Sequence, residues 1–144
     1  MGLFCGLHDS DLTLTGVQIM PYEEDIYKYA CNYFDKIKKS WKLDFDVTEE
    51  DFDIATDYLY GGYNVPSEVV RNAIYDMARS EAIVLDPCYT GKTYAAFLDM
   101  LAEEKIQKDE TIIFIHTGGL PGVYTPSHQK AFEAELMDGV TILG

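Results

Sequence analysis

The spacing of apolar residues changes along the chain, and these changes outline strands that alternate with helices. Residues 14–20 read as a strand that Pro21 ends. Apolar side chains then recur every three or four residues, which predicts a helix; they are Ile26, Tyr29, Ala30, Tyr33, Phe34, Ile37 and Trp41. Between Phe52 and Tyr58 every second position faces one side, which predicts another strand.

The second half of the chain repeats this order. After the turn at 61–66, Ser67 is predicted to cap a helix, whose apolar stripe consists of Val70, Ala73, Ile74, Met77 and Ala78. Residues 82–85 predict a short buried strand, and Gly91 opens the next helix. The continuous apolar run 111–115 is typical of a parallel strand covered on both faces. Strands alternating with helices predict an α/β fold, with a mostly parallel sheet in a three-layer αβα arrangement.

The first seven residues resemble the middle or end of an apolar helix. No Ser, Thr, Asp or Asn stands before them to cap free backbone N–H groups. We therefore expect the chain to be a fragment that lacks residues upstream.

Length and charge narrow the function classes. A chain of 144 residues predicts a single domain over 1–144. Its 25 acidic and 11 basic residues give a net charge of −14, which argues against nucleic-acid and anionic-membrane partners. Three cysteines without metal-ligand spacing predict reduced thiols in a cytoplasmic protein with no metal site.

Gly91-Lys92-Thr93 invites comparison with a phosphate-binding P-loop. That motif needs a glycine five residues before its second glycine, and Asp86 stands there instead. A carboxylate would repel phosphate, so an ordinary strand-to-helix turn is favoured. A nucleotide-binding domain remains as an alternative.

Thr117-Gly118-Gly119 follows the 111–115 run, at the strand end where α/β sheets bind ligands. A hydroxyl followed by two glycines there suits a pocket floor. The alternative is an ordinary turn in which a backbone group satisfies His116. Tyr63 and Tyr89 place phenols at two other predicted strand ends, although a chain with 11 tyrosines makes coincidence easy.

Four segments, 62–66, 78–83, 86–92 and 114–119, come in one order. Their order and spacing resemble the C-terminal part of the D-cysteine desulfhydrase and 1-aminocyclopropane-1-carboxylate deaminase family. These are fold type II pyridoxal-phosphate enzymes related to tryptophan synthase β. The resemblance covers about residues 1–125 and leaves 126–144 unmatched. It implies that the chain resembles the C-terminal part of the large domain, with pyridoxal 5'-phosphate as cofactor and a small amino acid as substrate.

The resemblance also assigns roles to residues. Tyr63 and Tyr89 match active-site tyrosines near the cofactor ring and the substrate, and are the expected catalytic residues. The expected cofactor-binding residues are Thr117, which faces the pyridine nitrogen, together with Thr90, Gly118 and Gly119. Thr at both threonine positions is typical of the desulfhydrase branch. A neutral hydroxyl beside the ring nitrogen strengthens the electron sink less than a carboxylate, which suits β-elimination of a good leaving group such as thiol.

In the family, the Schiff-base lysine and the phosphate loop precede the matched region, and Lys92 matches a different lysine. We therefore expect a fragment of a D-cysteine desulfhydrase-type lyase, which forms pyruvate, ammonia and sulfide, to be inactive alone. One alternative is a non-catalytic scaffold or oligomerisation domain; another is 1-aminocyclopropane-1-carboxylate deaminase. Cys88 and Leu120 depart from the family pattern and would reshape the substrate pocket. Apolar surface exposed by a cut sheet predicts a homo-oligomer with contacts near residues 1–20.

Overall fold

A computed structural model describes residues 1–141 of the chain. The elements, in chain order, are α1 (Gly2–Leu7), β1 (Thr15–Val17), α2 (Ile26–Trp41), β2 (Asp53–Ala55), α3 (Glu68–Glu81), α4 (Thr90–Ala102) and α5 (Pro126–Leu136). Short 3-10 turns lie at Glu49–Asp51 and Leu120–Tyr124. No helix within these residues is long and apolar enough to cross a membrane.

The two strands pair in parallel across the α2 crossover, which makes a βαβ unit. Thr15 lies opposite Asp53 and Val17 opposite Ala55. The predicted strands at 14–20 and 52–58 are therefore confirmed, but each is only three residues long. The α/β fold class with a parallel sheet is confirmed as well.

Asp25 caps the N-terminus of helix α2, because its carboxylate accepts the backbone N–H groups of Tyr27 (2.9 Å) and Lys28 (3.1 Å). Phe34 is buried and meets Phe4 of α1 edge to face, with ring centroids 6.4 Å apart. The predicted helix at the start of the chain is thus confirmed and packs on α2. Three members of the predicted α2 stripe are instead exposed, because no element covers that side of the helix within residues 1–141: Tyr29, Tyr33 and Trp41.

The main core lies between α3 and α4. One cluster of buried side chains consists of Val70, Ala73, Ile74, Leu85 and Ala95, and a second consists of Tyr58, Ala96 and Met100. The stripe predicted for α3 is confirmed. Ser67 does stand at the N-terminus of α3, but its side chain makes no capping hydrogen bond, so that part of the prediction is wrong.

Two predicted strands do not form within residues 1–141. Residues 82–85 and 111–115 form neither helix nor strand, and they pair with no other strand of the described chain. Most of their apolar side chains are exposed, Ile113 by 70%. The prediction that 111–115 is covered on both faces is therefore wrong for this part of the chain. The physical reason is that a strand needs a neighbour for its backbone groups, and the described residues supply none here.

Candidate functional site

The loop before α4 is organised by the carboxylate of Asp86, which is almost fully buried. It accepts the backbone N–H groups of Cys88 (2.8 Å), Tyr89 (2.8 Å) and Thr90 (2.7 Å). The Thr90 hydroxyl donates to it as well, at 2.7 Å. The free N–H groups at the start of α4 are thereby satisfied by a side chain of the same loop.

Lys92, in the first turn of α4, is also completely buried. Its ammonium donates to the backbone carbonyls of Leu59 (2.9 Å), Ile19 (3.2 Å) and Gly62. Burial lowers the pKa of Lys92, and the nearby Cys88 acts in the opposite sense. In a P-loop the lysine and these N–H groups would face phosphate. Here both are already engaged, so the turn favoured over a P-loop is what the chain forms.

Tyr63 and Tyr89 form a phenol pair whose hydroxyl oxygens lie 2.6 Å apart. Their rings meet edge to face at 6.0 Å, and the two residues are 48% and 40% exposed. The hydrogen bond to Tyr89, followed by the proximity of Cys88, raises the pKa of Tyr63 to about 12. Tyr63 therefore keeps its proton near neutral pH, and the pair can offer a hydroxyl to a ligand from the solvent side.

The Thr117-Gly118-Gly119 loop runs against the Asp86 carboxylate. A Cβ placed on Gly119 would lie 2.7 Å from both Cγ and Oδ1 of Asp86, and the φ of Gly119 is +98°. Gly118 has a φ of +97° with open space around it, and its N–H donates to Nδ1 of His116 at 3.2 Å. A backbone group thus satisfies His116, as the alternative of an ordinary turn anticipated.

The expected site residues divide into two groups. Tyr63 and Tyr89 are in contact, and Thr117 is exposed with no hydrogen bond from its hydroxyl within residues 1–141. Thr90, by contrast, is buried, and its hydroxyl both donates to the Asp86 carboxylate and accepts the Asp86 N–H at 3.1 Å. Thr90 lies under the loop, and its assignment to the cofactor stays a prediction.

The sequence analysis assigned no structural role to three buried polar residues near the phenol pair: Asp86, Lys92 and His128. For Asp86 a signal existed, because an aspartate that accepts N–H groups two and three residues later is a common turn and cap device. No comparable signal marks His128, which is 1% exposed on α5 and has no hydrogen-bond partner for either ring nitrogen in the described chain. Burial lowers its pKa first, followed by the positive charges of Arg71 and Lys92.

The residues that would face a flat aromatic cofactor are open to solvent. A Cβ at Gly118 would meet nothing within 4 Å, and Thr117, Tyr63 and Tyr89 are all exposed, which is compatible with a ring that has a polar edge. The ammonium of Lys92 is not available for covalent attachment, because it is buried among carbonyls. No group of three His, Cys, Asp or Glu side chains suited to a metal ion occurs within residues 1–141.

Known proteins resemble this chain in sequence and in fold. Residues 3–118 match the family described as pyridoxal-phosphate dependent enzyme. The fold is similar to the crystal structure of an ACC deaminase homologue, with a TM-score of 0.68 and 25% sequence identity. That match covers 96% of this chain and 40% of the homologue, so the chain spans well under half of that protein's length. The family depends on pyridoxal phosphate. On the evidence of these matches, the chain belongs to the pyridoxal-phosphate dependent enzymes.

Proposed function

We propose that this chain supplies the residues around the cofactor ring in the active site of a D-cysteine desulfhydrase-type lyase. Such an enzyme eliminates sulfide from D-cysteine to give pyruvate and ammonia. The phenol pair carries the proposal, since two exposed hydroxyls that lie 2.6 Å apart can contact a ligand together. Family membership supports the cofactor, and a thiol-bearing small amino acid is the proposed substrate.

When bound, pyridoxal phosphate supplies the electron sink for such chemistry. The proposed task of Thr117 is to hold a neutral hydroxyl at the pyridine nitrogen, with Gly118 and Gly119 leaving room for the ring. Tyr63 is protonated near neutral pH, and its pKa, raised to about 12, favours the protonated form further. The proposed task of the pair is to donate a hydrogen bond to the substrate carboxylate or to the leaving sulfur.

The chain alone is proposed to be inactive. Lys92 lies close to the phenol pair along the loop, yet its Nζ is buried and donates to three carbonyls. We expect no covalent bond between the cofactor and Lys92. Borohydride reduction with pyridoxal phosphate, followed by peptide mapping, checks this, and stoichiometric label on Lys92 would contradict it.

The activity is tested by co-expressing this chain with the N-terminal part of a D-cysteine desulfhydrase. We expect cofactor-dependent release of pyruvate and sulfide from D-cysteine. Tyr89→Phe should lower that rate roughly 100-fold, as removal of a positioned proton-bearing group does. Tyr33→Phe is the matched control, because Tyr33 is similarly exposed (44%) but lies on α2. Equal effects of the two changes would remove the phenol pair from the proposal.

Two other functions remain distinguishable in the same assay. A complex that forms but leaves D-cysteine intact and releases ammonia from 1-aminocyclopropane-1-carboxylate favours the deaminase branch, for which the ACC deaminase homologue is the supporting observation. A complex without either activity favours a non-catalytic scaffold. We also propose that the chain self-associates and that it is located in the cytoplasm. The three free cysteines support the cytoplasmic location, because a reducing compartment keeps thiols free.

A further inference from the structure

The phenol pair needs support that its own side chains do not provide. Tyr63 and Tyr89 are both exposed and both lie outside regular secondary structure, so neither is held by core packing. Around Tyr63 the backbone is bent, with positive φ at Tyr60, Gly61, Gly62 and Asn64. Groups that hold both backbones in place would keep the two hydroxyls within hydrogen-bond distance, at 2.6 Å.

Lys92 fixes the turn that carries Tyr63. The Leu59 carbonyl accepts both the Gly62 N–H (3.0 Å) and the Lys92 ammonium (2.9 Å), and the Gly62 carbonyl accepts the ammonium too. The ammonium therefore joins both ends of the turn, and Gly62 directly precedes Tyr63. With the Ile19 carbonyl as a third acceptor, all three N–H donors of the ammonium are used.

Asp86 fixes the other phenol. Its carboxylate holds the backbone N–H of Tyr89 at 2.8 Å, between equally close N–H groups of Cys88 and Thr90. Charge-assisted bonds of this kind are about twice as strong as neutral ones. Because Asp86 and Lys92 are almost fully buried, water does not compete for the contacts of either charge.

We propose that Asp86 and Lys92 are positioning residues for the phenol pair, with the carboxylate setting the place of Tyr89 and the ammonium setting the place of Tyr63. The two charges lie in one seven-residue segment, 86–92, which we call the Asp86–Lys92 turn. Lys92 is the third residue of α4, so the first turn of this helix links the contacts of Asp86 to those of Lys92. What the pair does for a substrate rests on the proposed function; how it is held does not.

The test is the titration of residue 63, read from the ¹⁹F resonance of 3-fluorotyrosine placed there in the whole chain. Contact with Tyr89 raises the pKa of the phenol, so loss of the contact should lower it. Tyr89→Phe, which removes the contact directly, sets the size of the full effect. Lys92→Met should lower the pKa by about one pH unit or more. Lys36→Met, a change of an exposed lysine on α2, should leave it unchanged.

A purely structural role for Lys92 would lower thermal stability without moving this pKa. An unchanged pKa of residue 63 in folded Lys92→Met therefore overturns the proposal for Lys92. A Lys92→Arg variant in which residue 63 keeps the pKa of the unaltered chain supports it. Asp86→Asn is the second variant. Asparagine keeps one accepting oxygen but replaces the other with an NH2 donor, so it cannot accept all three backbone N–H groups. This variant should likewise lower the pKa of residue 63. If neither variant keeps the near-ultraviolet circular dichroism of the folded chain, the charges hold the whole fold and the positioning assignment is overturned.

The titration uses neither cofactor nor substrate, so it separates this inference from the proposed function. A lowered pKa in a chain that never supports sulfide release keeps the positioning role and rejects the lyase. Sulfide release that depends on the phenol pair, with an unchanged pKa in Lys92→Met, keeps the lyase and rejects the positioning role.

Discussion

The Asp86–Lys92 turn and the 111–115 segment are both close to the candidate site, but they reach opposite states. In the turn two charged side chains are buried, and each is surrounded by hydrogen-bond partners from the chain itself. The 111–115 segment is mostly apolar, yet Ile112, Ile113 and Ile115 are exposed. Its backbone makes no hydrogen bond to another backbone group of residues 1–141.

The difference shows what each region requires. A turn closes with groups that lie two to four residues apart, so its polar atoms can be satisfied locally. A strand is satisfied only by another strand, whatever its own hydrophobicity. Exposed apolar surface of this kind is typical of an interaction site. Stability in this chain should therefore depend on the turn and its neighbours, and little on the isoleucines of the segment.

The largest expected effect contrasts Leu85, which is fully buried just before the turn, with Ile113, which is 70% exposed. Leu85→Ala should lower the free energy of unfolding by about 2–5 kcal/mol, because it leaves a cavity among Val70, Ile74 and Ala95. Ile113→Ala should change it by less than about 0.5 kcal/mol. Urea unfolding followed by circular dichroism measures both.

A cost above about 2 kcal/mol for Ile113→Ala would mean that the segment is covered in solution. Sedimentation then shows whether a second copy of the chain or the same chain covers the segment. If the chain is an oligomer, and dissociation of the oligomer removes the cost, a second copy covers the segment. A monomer with the same cost would break the comparison.

The next effect concerns the two glycines that approach the turn. Gly118→Ala and Gly119→Ala bear the same backbone strain, since their φ values are +97° and +98°. Only at position 119 would the new Cβ collide with the Asp86 carboxylate, at 2.7 Å. We expect Gly119→Ala to be less stable than Gly118→Ala by about 2 kcal/mol. Equal unfolding midpoints for the two variants would show that the loop does not rest on Asp86.

A smaller effect is expected at His128, the one buried residue near the turn whose polar atoms lack partners in the described chain. Its pKa is lowered, so the folded chain keeps the imidazole neutral while the unfolded chain takes up a proton below about pH 6.5. The stability associated with the neutral ring is present above that pH and lost as the pH falls through the folded-state pKa. The Asp86 charge, and a contact with the Asn64 backbone that falls short of hydrogen-bond geometry, oppose the shift without reversing it.

His128→Leu should accordingly raise stability by about 1 kcal/mol, because two unsatisfied nitrogens are removed. The gain should be larger at pH 5 than at pH 8. Thermal unfolding at both pH values measures it, with the exposed His116 changed to Leu as the control. A loss of stability at both pH values would mean that the imidazole has partners, such as buried water, that the side-chain contacts do not include.

The same contrast explains how far the sequence could predict the structure. Helices α2 and α3 follow from apolar spacing within one segment, and the pairing of β1 with β2 joins segments on either side of one helix. The 111–115 run has the strongest strand composition but no strand neighbour within residues 1–141. At the site, motif order indicated Tyr63 and Tyr89 but not the contact between them. Asp86 and Lys92 were not assigned as anchors, because their roles depend on which backbone groups the fold turns toward them.

The smallest expected effect lies on the surface between α3 and α5. Glu135 accepts hydrogen bonds from Nε of Arg71 (2.9 Å) and from the Tyr75 hydroxyl (2.8 Å). The Arg71 bond, and then the Tyr75 bond, lower the pKa of Glu135. Its contribution to stability is therefore present above the unfolded pKa, near 4.5, and lost as the pH falls through the lower folded value.

Glu135→Gln should lower the free energy of unfolding by about 0.5 kcal/mol at pH 7, which is usual for an exposed ion pair. The difference should shrink as the pH falls below about 4.5 through the lower folded pKa, and it should also shrink in about 1 M salt, where screening is strong. Glu133→Gln is the control, since it removes the same charge from α5 at a side chain without a hydrogen bond to residues 1–141. Equal effects of the two changes at pH 7 would show that net charge, rather than the contact with Arg71, determines how firmly α5 docks on α3.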